Sequence, residues 1–249
     1  MSQPVIALYT DFGNTDPYVG QMHAALLTKA LGTSVVDLHH YAPAFAPGPA
    51  GLLLEALLPF LPEQAVVVSV VDPGVGTDRG TLALWSRGHW LVGPDNGLFG
   101  PLLDEPDAVA YRLNVKGHEA ASATFHGRDV FAPAAAELAR GHRMVLGESV
   151  PHPVRLASRR DQIIYCDHYG NLMTGLQIPA DTGYWLRVRD RDLSYARTFG
   201  DVAPGEPFWY GNSLGLVEVA VREDSARYAL DAGEGTSVAW SPAQAQHPK

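Results

Sequence analysis

The sequence predicts an α/β N-terminal domain with a largely parallel central sheet over residues 1–150, then an all-β, barrel-like domain over residues 161–240. Three observations carry this. In the first half, short apolar runs ending on acids alternate with segments of helical periodicity, the pattern of strand–helix–strand units. Over residues 147–160 the texture changes to Pro151, Pro153 and scattered charge, as in a linker. Beyond it, short β-type runs are separated by turns rich in Gly, Asp and Asn.

The elements follow in order. Val5-Ile6-Ala7-Leu8-Tyr9-Thr10 reads as a buried strand running into the Asp11 loop. Residues 18–31 carry Val19, Met22, Leu26 and Ala30 at helical spacing, with Gly32 as the closing glycine. Ser34-Val35-Val36 is a second strand leading into Asp37-Leu38-His39-His40, and residues 50–60 form a second helix stopped by Pro59 and Pro62. The run Val67-Val68-Ser69-Val70-Val71 is a third strand, ending abruptly on Asp72. Pro73 forbids helix at Asp72, and Gly74, Gly76 and Gly80 permit a tight loop that carries Arg79. Strands are expected at 81–84, 90–92 and 109–113, and a third helix over 130–140 closes with Gly141. In the second domain the β-type runs are 162–165, 184–188, 207–210, 216–221 and 236–240, and the tail from Ser241 is expected to fray.

Composition excludes several classes. The chain has 249 residues, 46% hydrophobic and 18% charged, enough for a substantial core. No apolar run approaches the ~20 residues of a membrane span; the longest, 52–61, is broken by Glu55 and Pro59. A net charge of -9 opposes binding to nucleic acid and suits a cationic small molecule. The N-terminus enters a strand without a basic segment, so no secretion signal is expected. The single cysteine, Cys166, fits a reducing compartment, and the cytoplasm is the expected location.

The chemistry is concentrated after strands. Asp11, Asp37, Asp72 and Asp95-Asn96 each follow an apolar run, and open α/β sheets bind ligands outside the carboxyl ends of their strands. One such acid is an ordinary turn former, but four together point to a crevice. His126, in Phe125-His126-Gly127-Arg128-Asp129, is either a turn residue or, with Asp72 and Arg79, part of an acid–cation–imidazole set that orients a water molecule. Asp37, His39 and His40 with Asp11, Asp16, Asp72 and His126 alternatively form a dinuclear metal cluster for phosphoester hydrolysis. Asp167-His168-Tyr169-Gly170-Asn171 and Phe208-Trp209-Tyr210-Gly211-Asn212-Ser213 interleave aromatics with amide and hydroxyl groups. They suit either a heterocycle-binding surface or a tight turn over an aromatic core. Gly211-Asn212-Ser213-Leu214-Gly215 matches a nucleophile elbow literally, but its surroundings read as β and the only later histidine is His247. Gly74, Gly76 and Gly80 miss the dinucleotide fingerprint by one residue, and no P-loop sequence occurs.

Taken together, Thr10-Asp11-Phe12-Gly13 with Asp16-Pro17-Tyr18-Val19-Gly20, Val71-Asp72-Pro73-Gly74-Val75-Gly76-Thr77, Gly93-Pro94-Asp95-Asn96-Gly97, Phe125 to Phe131 and Tyr210 to Gly215 occur in order across almost the whole chain. This set resembles the S-adenosyl-L-methionine (SAM) hydroxide adenosyltransferase family, relatives of the fluorinating and chlorinating enzymes that use the same substrate. The resemblance implies hydrolysis of SAM to adenosine and L-methionine without cofactor or metal. It also implies a homotrimer holding substrate between one subunit's N-terminal domain and a neighbour's C-terminal domain. It assigns Asp72, Arg79 and His126 to the water-handling set, where halogenating relatives lack the acid. Asp11 matches the ribose-hydroxyl acceptor, and Asp16 is similar to a second acid of that pocket. Phe45 stands where halogenating relatives place a Trp over the sugar. Asn171 matches the adenine-edge reader with Tyr169 near the purine, Asn212 and Ser213 match the stretch receiving the methionine end, and Asp167 matches the acid meeting its ammonium.

Overall fold

The computed structural model describes residues 5–114, 121–157 and 159–242. The chain divides into two compact units, Met1–Ser158 and Arg159–Lys249.

The first unit is built on β1 (Ile6–Thr10), α1 (Tyr18–Lys29), β2 (Val35–His39), α2 (Pro47–Leu57), β3 (Val66–Val70), β4 (Gly80–Ser86), β5 (His89–Asp95), β6 (Val109–Leu113), α3 (Ala132–Ala139) and β7 (Leu146–Ser149). The sheet order is β2-β1-β3-β5-β4-β6-β7. The β2, β1, β3 and β5 block is parallel, and β4, β6 and β7 extend it antiparallel. Ile6 and Leu8 point to one face, where they meet Met22 and Leu26 of α1 and Ala135 and Leu138 of α3. Tyr9 points to the other face, and its hydroxyl donates to the Ala50 carbonyl in α2 at 2.7 Å. Helices therefore cover both faces, which is why β1 and β3 are apolar at every position but Thr10 and Ser69.

Several expectations are corrected. Asp37 and His39 lie within β2, the edge strand, rather than in a loop beyond it. The second helix starts earlier, at Pro47, whose fixed φ suits a first turn, and ends as a 3₁₀ turn over Leu58–Phe60. The third helix begins as a π-helical turn over Gly127–Phe131. The start of the segment read as linker belongs to β7, which pairs antiparallel with β6.

The second unit contains β8 (Ile163–Cys166), β9 (Leu172–Gln177), β10 (Trp185–Val188), β11 (Arg191–Leu193), β12 (Pro207–Gly211), β13 (Leu216–Val221), α4 (Ala226–Ala229) and β14 (Val238–Ser241). Two antiparallel sheets, β12-β13-β9-β8 and β11-β10-β14, share a core of Ile163, Leu172, Leu186, Trp209, Val217 and Val219. The predicted β character holds, with α4 and a 3₁₀ turn over Phe199–Asp201 as the helical segments among its described residues. Ser241 is not frayed: it ends β14, and its hydroxyl donates to Asp192 at 3.2 Å. The tail beyond it, 243–249 with His247, lies outside the described residues.

Candidate active site

Chain order and sheet order together place the first cleft. From β1 the chain crosses to β2 on one side, then from β2 to β3 on the other, so the connections diverge at the carboxyl ends of β1 and β3. Thr10 is in register with Val70, which sets the Asp11 and Asp72 loops side by side. A cleft of about 700 Å³ opens there, lined by Asp11, Phe45, Asp72, Val75, Phe125 and His126 among others.

Three of the predicted side chains meet. Arg79 Nε donates to both Asp72 oxygens at 3.0 Å, and Nη2 donates to Asp72 Oδ2 and to His126 Nδ1, the latter at 2.7 Å. The Asp72 and Arg79 side chains are only 4% and 8% exposed. Arg79 also lies over Phe131, 5.4 Å from the ring centroid, and is not among the residues lining the cleft. It is the buried bridge between acid and imidazole. A guanidinium has no acceptor, so His126 Nδ1 must be unprotonated and a neutral ring carries its proton on Nε2. Burial, reinforced by the Arg79 charge, lowers the His126 pKa below the usual histidine value and favours that neutral ring.

The loop from Asp72 to Arg79 is held by turns: Val75 N–H donates to the Asp72 carbonyl, and Thr77 N–H and hydroxyl donate to that of Gly74. Gly76 adopts φ +80°, and a Cβ on it would stand 3.0 Å from the Ala123 carbonyl oxygen. The loop carrying His126 has its own clamp, which the sequence reading missed. Arg128 pairs with Asp129, reaches Gln21 at 2.7 Å and lies over Phe125, while Asp129 accepts the Ser122 N–H at 2.8 Å. An adjacent Arg-Asp pair at a helix entry was the available signal.

Asp11 is half-buried, and that burial raises its pKa, partly opposed by the Phe45 N–H donated to Oδ2 at 3.3 Å. Phe45 holds φ +58°, rare for a bulky side chain, and is 78% exposed at the cleft mouth. Asp16 is exposed before α1 and does not line the cleft.

The metal-cluster reading is not supported. Asp37 Oδ1 lies 2.7 Å from His23 Nε2 and 3.1 Å from His40 Nε2, while Asp72 is committed to Arg79, whose charge repels a cation. Among the described residues, no group of three or more His, Cys, Asp or Glu side chains is placed to hold a metal ion.

The second unit has its own cavity, of about 890 Å³, lined by Asp167, Tyr169, Asn171, Tyr210, Asn212 and Ser213 among others. Asp167 accepts the N–H groups of Tyr169 and Asn171 and the Asn171 side-chain amide at 2.8–2.9 Å, which leaves Asn171 Oδ1 available. Asn212 Oδ1 accepts from the Leu214 and Leu216 N–H groups at 3.0 Å, closing the β12–β13 hairpin. The literal elbow motif is thus a hairpin turn, not a strand–turn–helix. Glu218 lines this cavity as well and was missed.

Comparison with known proteins identifies the family. The SAM hydroxide adenosyltransferase N-terminal domain matches residues 6–146 and its C-terminal domain residues 161–239. The chain belongs to the SAM hydroxide adenosyltransferase family. Within that similarity, an (R)-S-adenosyl-L-methionine hydrolase from Thermus thermophilus is 44% identical over 95% of this chain and 98% of its own length. A protein of the same name from Salinispora arenicola is 38% identical over 88% of this chain and 91% of its own. A crystal structure of a Thermotoga maritima protein superposes with a TM-score of 0.85 at 27% identity, covering 94% of this chain and 98% of that one. The family matches span both units, so the motifs of both cavities lie inside the shared region.

Proposed function

We propose that the protein hydrolyses SAM to adenosine and L-methionine by in-line attack of water at ribose C5′. The observation that carries this is the Asp72–Arg79–His126 set at the strand switch point beside Asp11. The C5′–oxygen bond forms as the C5′–sulfur bond breaks, and methionine leaves as a neutral thioether, so the leaving group needs no acid. The nucleophile is the difficulty. Asp72 keeps lone pairs on Oδ1, accepts a hydrogen bond from the water and directs its oxygen at C5′. The product hydroxyl sheds its extra proton towards that carboxylate and on to solvent. Arg79 holds Asp72 in place, and the Nε2 side of His126 supplies a donor beside it. Merging a hydroxide-like nucleophile with a sulfonium neutralises charge, so excluding bulk water favours the transition state.

Asp11 accepts the ribose hydroxyls and fixes the angle of attack, with Phe45 over the sugar. Asn171 offers Oδ1 and an amide N–H to the adenine edge, with Tyr169 against the purine. Asp167 meets the ammonium, and the Asn212-Ser213 turn receives the rest of the methionine end. Two cavities, each with half of this chemistry, suit a site assembled from two neighbouring subunits, in the homotrimer that the family resemblance implies. No helix among the described residues is long and apolar enough to cross a membrane, and we place the enzyme in the cytoplasm.

The test is incubation of the purified protein with SAM and chromatography of the products, with and without EDTA. Equal amounts of adenosine and methionine, unaffected by EDTA, are expected. Intact SAM, or turnover lost to EDTA and restored by a divalent cation, would overturn the reading.

A further inference from the structure

Glu218 is the least expected side chain in the second unit. It sits mid-strand in β13, where every residue is buried, and is itself 2% exposed. An acid so placed needs partners. It has two, and both line the cavity. Tyr210 is its direct cross-strand neighbour, and the Tyr210 hydroxyl donates to Oε1 at 2.8 Å. The Asn212 side-chain amide donates to Oε2 at 2.6 Å.

The Asn212 geometry gives this second bond its importance. Two backbone N–H groups already occupy Oδ1, so the amide can sit only with Nδ2 towards Glu218. One N–H of that nitrogen is then held by the carboxylate, and the other is the only Asn212 hydrogen left for a ligand. The same carboxylate fixes the Tyr210 ring through its hydroxyl. Burial raises the Glu218 pKa, while its two donors oppose the rise, so the ionised form depends on both contacts.

We propose that Glu218 is a positioning residue for SAM binding: it orients the Asn212 amide and the Tyr210 ring in the cavity wall and acts on substrate affinity rather than on the displacement step. This rests on the reading that the cavity receives SAM. Reversing the polarity of the Asn212–Glu218 bond tests it. Asn212→Asp keeps the Oδ1 acceptor for the turn but sets an oxygen against the carboxylate. Glu218→Gln supplies an N–H at that position and is nearly the same shape.

With SAM as the probe, Asn212→Asp is expected to raise KM about tenfold or more with kcat within about threefold, because a buried acceptor then faces an acceptor. Adding Glu218→Gln to Asn212→Asp relieves the acceptor clash but does not restore the N–H that Asn212 offers a ligand, so KM is expected to return part of the way, to about threefold or more below that of Asn212→Asp. Glu218→Leu, which removes both acceptors, is expected to raise KM in the same way if it folds. An unchanged KM in Asn212→Asp, no rescue in the double variant, or a loss confined to kcat would each overturn the proposal. Failure of the parent to convert SAM would instead overturn the functional reading on which it rests.

Discussion

Asp72 and Arg79 illustrate how a residue-scale prediction depends on burial. Replacing Asp72 by Ala strands a buried guanidinium, and breaking such a pair costs about 3–5 kcal/mol, which confuses catalysis with folding. Asp72→Asn keeps the shape and an acceptor for Arg79 but removes the charge. Its kcat for adenosine release should fall by about 10²–10⁴-fold, while SAM affinity measured by calorimetry stays near the parental value. Parental turnover in Asp72→Asn would remove Asp72 from the proposed role. His126 gives a pH prediction. Its functional ring is neutral and its pKa is lowered, so activity should persist above the usual histidine value and disappear as pH falls through the lowered one. The same sign applies to stability, since protonating His126 sets two cations against each other. In His126→Asn the side-chain oxygen can still accept from Arg79 but nothing titrates, so the acid limb of the kcat/KM profile should flatten.

At the scale of elements, the strand ends were legible and the strand edges were not. Val66 to Val70, buried on both faces and followed by a proline-locked acid, could be read from residue types, as could the pairing of that acid with an arginine seven positions later. Leu146–Ser149 could not: only Leu146 of its four residues packs against the core, and strand character there comes from pairing with β6. Asp37 was misplaced for a related reason, since an edge strand tolerates polar side chains that look like a loop. Glu218 was hidden inside a run of valines whose apolarity dominated the pattern. The Asp72–Arg79 loop carries the prediction at this scale. Gly76→Ala combines a left-handed φ, a cost of about 1–3 kcal/mol for a non-glycine residue, with crowding against the Ala123 carbonyl. Gly141→Ala, after α3, has nearly the same φ, +82° against +80°, with open space around it. Both should lower the melting temperature, but only Gly76→Ala should also depress kcat. Equal turnover in the two variants would show that the loop does not position the catalytic set.

For the whole molecule, the division of chemistry between two units turns the proposed trimer into a functional question. The first unit has the acid, cation and imidazole, and the side-chain amide lining its cleft, Gln21, has its oxygen taken by Arg128, whereas the cavity of the second unit carries the amides of Asn171 and Asn212. If each site joins two neighbouring subunits, a subunit inactivated by Asp72→Asn and one inactivated by Asn171→Ala should complement each other. Mixed oligomers contain some sites that combine an intact first unit from one chain with an intact second unit from the next. Random mixing in equal amounts predicts recovery of about one quarter of parental activity in a closed ring. A site formed within one chain predicts none. Light scattering of the parent should give three times the 26.8 kDa chain mass. The recovery must require subunit exchange: activity should appear only after the two variants are unfolded and refolded together or co-expressed. Full-mass trimers without complementation would confine the site to a single chain, and complementation at monomer mass would be inconsistent with either arrangement.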